Sequence, residues 1–187
     1  MAAGDLTSLA NVKSWLNISS TDHDADLTRL ISACSGFMQQ WMNRTFAVSS
    51  YNEVRNGPGI STVMVTANYP LISVSSVTID GVSIPVANGT FNSQGYTFDQ
   101  RNIYLAGGYS FARGKANVLI SYTAGYATLP LEIEQACIET VGSRWRERDR
   151  IGMASKALAG ETTAFSLKDF PAQVITLMNN YKKVIPL

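Results

Sequence analysis

Apolar side chains recur every three or four residues in the first 45 residues and again after Leu129, which predicts helices at both ends of the chain. Ser8 is placed to cap a first helix, whose apolar face comprises Leu9, Val12 and Leu16, widened by Trp15. A second helix is predicted to begin at a capping box. The box is Thr21 with Asp24, and the stripe that follows is Leu27, Leu30, Ile31, Cys34, Met38 and Trp41.

Two prolines mark the starts of later helices, because the first helical turn tolerates a residue without an N–H. Pro130 precedes an apolar stripe that includes Trp145, and Pro171 precedes Val174 and Met178. The complete stripe of the first of these helices is Ile133, Ala136, Cys137, Thr140, Val141 and Trp145.

Between the helical ends the pattern changes to short runs rich in Ser, Thr, Val, Ile and Tyr, with no lasting helical period. Val77–Ile79 and Val82–Ile84 flank Asp80-Gly81, the pair that a two-residue hairpin turn needs for positive φ. The other predicted strands are residues 63–65, 74–79, 95–99, 103–106 and 118–123, with residues 163–167 as a candidate near the end of the chain. These short runs predict a small antiparallel sheet or sandwich.

These patterns predict an α+β fold, an α-helical framework of about four helices with an inserted small antiparallel β domain. We expect the framework to be divided between residues 1–45 and 127–187, and the insertion to span residues 46–126. Residues 153–168 are rich in Ala, Ser, Thr and Gly, and we expect them to be a flexible segment that becomes ordered on a partner.

Composition narrows the classes of function. Hydrophobic residues make up 45% and charged residues 16% of the chain, and the formal net charge of +1 gives no strong field for nucleic acid or anionic membrane. No apolar run approaches a membrane helix, and the N-terminus lacks the pattern of a secretory signal, so we expect a cytoplasmic site of synthesis. Cys34 and Cys137 lie on apolar stripes and are predicted to be buried thiols, with a disulfide as the alternative.

Candidate catalytic and metal-binding residues are few. His23 is the only histidine and lies among aspartates at a helix start, where a solvated role is the more common one. Asp22, Asp24 and Asp26 resemble the opening of a calcium loop, but the loop's later glycine and glutamate are missing, and helix-start electrostatics accounts for them. Gly114-Lys115 lacks the other residues of a phosphate-binding loop. We predict neither catalysis nor a metal site.

The most charged stretch is Arg144 to Arg150 at the end of the third helix. Helical spacing predicts ion pairs from Glu147 to Arg144 and Arg150, which favours a solvated helix end. A subunit contact and, less favoured, a phosphate contact are the alternatives. The aromatic residues of the insertion are predicted to be mostly core, with a ligand surface as the alternative; they are Tyr96, Phe98, Tyr104, Tyr109, Phe111, Tyr122 and Tyr126.

The order of these motifs resembles the HK97 gp6-like head-tail connector (adaptor) family of tailed phages. The resemblance lies in residues 8–18, an acidic stretch, residues 27–46, Tyr69-Pro70-Leu71-Ile72-Ser73-Val74, Val77-Thr78-Ile79-Asp80-Gly81, Ile120 to Tyr126, Leu129-Pro130 with Ile133 to Ala136, and the basic residues 144–150. It covers nearly the whole chain and is weakest over residues 153–168.

The resemblance implies a structural protein of the virion neck, assembled in the bacterial host cytoplasm, without catalysis or a required cofactor. It implies a ring, typically of twelve copies, under the portal protein, which extends the channel for DNA without sequence specificity and supports a stopper or tail-completion protein. We expect the end of the third helix, the flexible segment and the last helix to contact the portal or a neighbouring copy. The candidate interface residues are Arg144, Arg146, Arg148, Arg150, Lys168, Tyr181, Lys182 and Lys183.

Other functions remain open from the sequence alone. The β insertion is also suited to a virion binding module for a carbohydrate or host surface, and the basic helix end to a small DNA-binding or packaging factor. An enzyme is the third alternative. If the last helix serves docking only, deleting the residues after Arg150 leaves a folded monomer.

Overall fold

The computed structural model describes residues 4–89, 93–148, 155–158, 161–164 and 170–183. Their helices and antiparallel sheets confirm the predicted α+β class. The chain divides into two compact units. A helical unit takes both ends of the chain, Met1–Phe46 and Thr128–Leu187, and a β unit takes Ala47–Ala127.

The helical unit contains α1 (Leu9–Leu16), α2 (Asp24–Trp41), α3 (Leu131–Glu147) and α4 (Ala172–Asn179). Ser8 caps α1 as predicted, because its Oγ accepts a hydrogen bond of 3.1 Å from the backbone N–H of Asn11. The capping box predicted for α2 is wrong. Thr21 O instead accepts from Asp24 N in a turn that precedes the helix, and the capping residue, His23, makes no side-chain cap bond.

The core of the helical unit is formed by the predicted stripes of α2, α3 and α4. The buried apolar residues on these helices are Leu27, Ile31, Cys34, Met38, Ile133, Ala136, Cys137, Ile138, Val141, Val174 and Met178. Both cysteines are buried and free, as predicted. Trp15 departs from its prediction, because its side chain is 53% exposed instead of joining the buried face of α1.

The β unit contains two sheets. The first has the order β1-β7-β3-β4 and the second β2-β6-β5. The strands are β1 (Ser49–Gly57), β2 (Val63–Val65), β3 (Leu71–Ile79), β4 (Val82–Ile84), β5 (Gly95–Phe98), β6 (Asn102–Ala106) and β7 (Gly114–Ala124). Asp80 and Gly81 join β3 to β4 with φ of 50° and 80°, which confirms the predicted hairpin turn. The sequence patterns did not predict β1.

The two sheets share one apolar core and approach each other along two seams. At the first seam, Val86, which follows β4, pairs with Tyr96 of β5 in an isolated parallel bridge. At the second, side chains of β1 reach the end of β2 and the segment after it: Arg55 Nη2 donates to Val65 O at 3.4 Å, and Glu53 Oε2 accepts from Ala67 N at 3.0 Å. The outer edge of β1 is therefore held by side chains instead of a neighbouring strand.

Two short strands, β8 (Ser155–Leu158) and β9 (Glu161–Ala164), pair as a hairpin within the segment that the sequence predicts to be flexible. The rest of that segment lies outside the described residues. After it, Phe170, Val174 and Met178 are buried in the helical unit. Deleting everything after Arg150 would therefore open this core, so the folded monomer expected of that truncation is not what the structure predicts.

Candidate functional site

The candidate interface at the end of α3 is built on a helix whose inner face is fixed by the core. Arg144 is half-buried, with its guanidinium carbon 5.1 Å from the centre of the Phe37 ring of α2. Arg148 is exposed, lies 3.9 Å over the Trp145 ring and donates from Nη1 to Trp145 O at 2.7 Å. Arginine side chains held on aromatic rings keep their charge and lose less entropy on binding than free ones.

These side chains border a groove of about 620 Å³ between the start of α2 and the end of α3, which we call the arginine groove. Its lining combines three arginines, two carboxylates, a histidine and an apolar wall. The residues are His23, Asp26, Arg29, Leu30, Thr140, Ser143, Arg144, Trp145, Glu147, Arg148 and Pro171. A mixed polar rim over an apolar wall is the composition expected for a protein contact.

The ion pair predicted between Glu147 and Arg144 is wrong. Glu147 Oε1 accepts from Ser143 Oγ at 3.0 Å, one turn earlier on the helix. Across the part of the chain that the structure describes, neither Arg144 nor Arg146 forms an ion pair. Arg150 lies outside the described residues, so its predicted pairing is not addressed.

Arg146 lies on the other side of α3, in a second groove of about 510 Å³ that the exposed Trp15 also lines. Gly142 contributes to this groove too, and a Cβ at its position would meet the Trp15 ring at 3.7 Å. The predicted arginines therefore lie on two surfaces on either side of one helix end.

The candidate residues after α4 that the structure describes contact the start of α3 and the end of α2. Tyr181 Oη donates to Glu132 Oε2 at 2.6 Å, and Tyr181 O accepts from Arg44 Nη1 at 3.2 Å. Lys182 Nζ lies 4.1 Å over the Trp41 ring, and Lys183 N donates to Met42 O at 2.9 Å. These contacts fasten the residues after α4 to the helical unit. Lys168 lies outside the described residues.

Of the eleven residues that line the arginine groove, only Arg144 and Arg148 were predicted interface candidates, and the missed ones include Arg29, Leu30 and His23. Arg29 and Leu30 follow the buried Leu27 on α2, and His23 packs edge-on against Trp145 with ring centres 5.2 Å apart. An arginine on the outer face of an amphipathic helix gives no local signal of function, because only the packing of α2 against α3 brings it next to Arg144.

The thiols of Cys34 and Cys137 have low nucleophilic reactivity. Burial raises the pKa of Cys137 to about 12, although a hydrogen-bonding contact with Ser35 Oγ at 3.6 Å acts in the opposite direction. Burial likewise raises the pKa of Cys34, partly offset by the positive charge of Arg144. Thiolate is the reactive form, so both groups are poor nucleophiles at neutral pH.

No group of three or more His, Cys, Asp or Glu side chains with metal-binding geometry occurs among the described residues. None of the described helices is long and apolar enough to cross a bilayer.

The aromatic residues of the β unit only partly follow the prediction that they are core. Tyr96, Phe111 and Tyr122 are buried, whereas Phe98 and Tyr104 are 39% and 37% exposed. Tyr104 Oη donates to Asp99 Oδ2 at 2.7 Å. The Asp99 carboxylate also accepts from the backbone N–H of residues 101 and 102, which holds its pKa well below the ordinary range. This cluster is explained by its role in closing the turn between β5 and β6.

Comparison with known proteins identifies a family whose model matches most of this chain. A family model described as "HCP: Head completion protein" matches residues 5–184. No curated protein sequence matches the chain.

Solved structures share the fold. A chain of the structure "Virion of native gene transfer agent (GTA) particle" aligns with a TM-score of 0.57 at 16% identity. Chains of "Neck of native GTA particle computed with C12 symmetry" and "Neck of empty GTA particle computed with C6 symmetry" each align with a TM-score of 0.56 at 17% identity. In all three cases the alignment covers 96% of this chain and 90% of the other.

Proposed function

This chain belongs to the head completion protein family, and from that premise we propose that it forms a ring under the portal of a tailed phage. Its resemblance to phage connector proteins is confirmed, and its role is structural, in the neck of the particle. The ring extends the channel through which DNA passes and supports the next neck or tail protein. Twelve copies are the number we propose.

The observation that carries this proposal is the extent of the match. Residues 5–184 include both units and α4, so the whole architecture, not one motif, is that of the family. Two of the similar structures are necks computed with twelve-fold and six-fold symmetry, which supports a cyclic assembly for this chain. Copies joined head to tail close into a ring when the rotation between them permits.

The charge of the chain fits a passive channel. A net charge of +1 provides little of the general attraction that DNA-binding proteins use, so we propose that the passing DNA is held only weakly. We also propose that this contact has no sequence specificity. We propose no catalytic role and no cofactor. We propose the virion neck as the final location and the host cytoplasm as the place of assembly.

In this proposal the predicted interface residues belong to different contact surfaces. Arg144 and Arg148, beside the arginine groove, contact a neighbouring copy, and Arg146 lies on the adjoining surface with Trp15. Tyr181 and Lys182, at the other end of α3, lie where a neighbouring copy or the portal approaches. Arg150, Lys168 and Lys183 complete the proposed set.

Electron microscopy of the protein mixed with its cognate portal tests the proposal. A ring of this chain seated on the portal is the expected result, and particles made without the protein should fail to join heads to tails. Portal particles that bind no copies, together with purified virions that lack the chain, would contradict the proposal. Point variants are preferable to truncation, because α4 is part of the core.

A further inference from the structure

The arginine groove combines cations with an apolar wall, as a docking surface for a protein segment does. We infer that it receives Leu131 and Glu132, the first residues of α3, from a second copy of this chain. The inference rests on the proposed ring and identifies the contact that closes it.

The proposed ligand is an apolar side chain next to an acidic one. Leu131 is 76% exposed although it begins a helix whose other apolar residues are mostly buried. Glu132 is exposed, and Tyr181 occupies only its Oε2, so among the described residues Oε1 remains available to a donor. An exposed leucine alone is ordinary, but one beside an available carboxylate forms a compact feature for docking.

The groove offers the complementary features. Leu30, Trp145 and Pro171 supply an apolar wall for a leucine side chain, and Arg29 and Arg144 supply cations for a carboxylate. No carboxylate among the described residues pairs with either arginine.

A phosphate chain is a poorer occupant of the same groove. Asp26 and Glu147 in its lining act against either anion, but only the leucine–glutamate pair brings an apolar side chain that fits the wall of Leu30, Trp145 and Pro171. The lining therefore favours a protein segment over DNA.

The positions of the two surfaces explain why the contact makes a ring. Leu131 and Arg144 lie near opposite ends of one helix, about 20 Å apart at 1.5 Å per residue. The proposed ring uses this contact heterologously, so that each copy binds one neighbour through each end. Two copies that exchanged the contact about a two-fold axis would satisfy both patches within a dimer, so a cross-linked product no larger than a dimer would overturn the inference.

Thiol cross-linking tests the contact directly. A chain carrying Arg29→Cys and Leu131→Cys is assembled into particles and treated with a short thiol-to-thiol cross-linker. We expect a ladder of multimers of this chain, up to a closed ring, and no ladder from either single variant. The native thiols at Cys34 and Cys137 are buried and stay outside the reaction. The matched control replaces Arg29→Cys with Arg113→Cys, another exposed arginine, which lies in the β unit.

Charge reversal provides the second readout. Glu132→Arg should lower incorporation into particles about tenfold, the effect of losing one interfacial charge pair. Adding Arg29→Glu should restore incorporation, whereas adding Arg113→Glu should not. Tryptophan fluorescence of each variant verifies that the helical unit is folded, because Trp15, Trp41 and Trp145 all belong to it.

The outcomes separate the inference from the proposed function. Normally assembled particles that give no ladder, or in which the thiol introduced by Arg29→Cys cross-links only to a different protein, overturn the inference while leaving the ring. Absence of the unmodified chain from particles overturns both. A ladder from the Arg29 pair with none from the Arg113 pair supports the inference.

Discussion

Replacing Tyr122 with Phe should destabilise the β unit by removing the hydroxyl at the centre of a polar network. Tyr122 Oη donates to Glu53 Oε2 at 2.7 Å and accepts from Asn68 N and Nδ2 at 3.2 and 3.3 Å. Tyr122 is 1% exposed, so solvent cannot replace the lost bonds. The phenyl ring itself stays in the core, because the two residues differ only by the hydroxyl.

Tyr122→Phe should lower the free energy of unfolding of the β unit by about 2 kcal/mol. A hydrogen bond to a charged group contributes about 1.5–3 kcal/mol, and the variant leaves the Glu53 carboxylate with one donor fewer in a partly buried place. That carboxylate also bonds Ala67 N, so the variant weakens the side-chain seam between β1 and the segment after β2. Hydrogen exchange of the amides in β1 should increase accordingly.

Denaturant unfolding followed by near-ultraviolet tyrosine dichroism measures this cost. Tryptophan fluorescence reports the helical unit separately, because the β unit contains no tryptophan. The matched control is Tyr104→Phe, whose hydroxyl bonds Asp99 at an exposed turn and should contribute less than about 1 kcal/mol. Equal costs for the two variants would refute the reasoning.

The same network predicts a dependence on alkaline pH. Burial, followed by the neighbouring Glu53, raises the pKa of Tyr122 above its ordinary value of 10.0. The folded state therefore favours the neutral phenol, so this contribution to stability is complete below pH 10 and decreases as the pH rises above it. Tyr122→Phe should make the loss of stability above pH 10 less steep. An unchanged slope would show that other groups, such as the buried Tyr96, dominate the titration.

Further predictions concern the helical unit. Met178→Ala should cost about 2–5 kcal/mol by leaving a cavity under α4, measured by denaturant unfolding with tryptophan fluorescence; a smaller loss would mean that α4 does not pack as described. Ser8→Ala should cost about 1 kcal/mol by removing the α1 cap, whereas Ser8→Asp should retain most of the stability in the same assay. Cys34 and Cys137 should resist alkylation in the folded protein and react on unfolding; rapid labelling of the native chain, followed by mass spectrometry, would contradict their burial.

Features governed by neighbouring residues could be predicted from the sequence. The Ser8 cap and the Asp80-Gly81 turn each depend on groups within four positions of each other, and both are present. The capping box failed at the same scale because Thr21 enters a turn just before α2 instead of the helix itself. Local rules therefore found α2 but placed its N-terminal cap two residues too early, at Thr21 instead of His23.

Features governed by distant residues could not be predicted in this way. Strand β1 carries Asn52, Glu53 and Arg55, which weaken its strand pattern, and its partners in β7 lie 57 to 75 residues away along the chain. The arginine groove likewise depends on Arg29 of α2 lying beside the end of α3, so the predicted basic helix end identified two of its three arginines.

The pairing of β1 with β7 also determines how the β unit is connected to the rest of the chain. Ser49 lies opposite Ala124, so the chain enters and leaves the unit at neighbouring positions, about 5 Å apart between Cα atoms. An inserted domain whose two ends are neighbours can be lengthened, shortened or exchanged without altering the separation of its two attachment points. Sequence and length diversity among relatives should therefore accumulate in the β unit, while the helices at both ends of the chain retain their spacing.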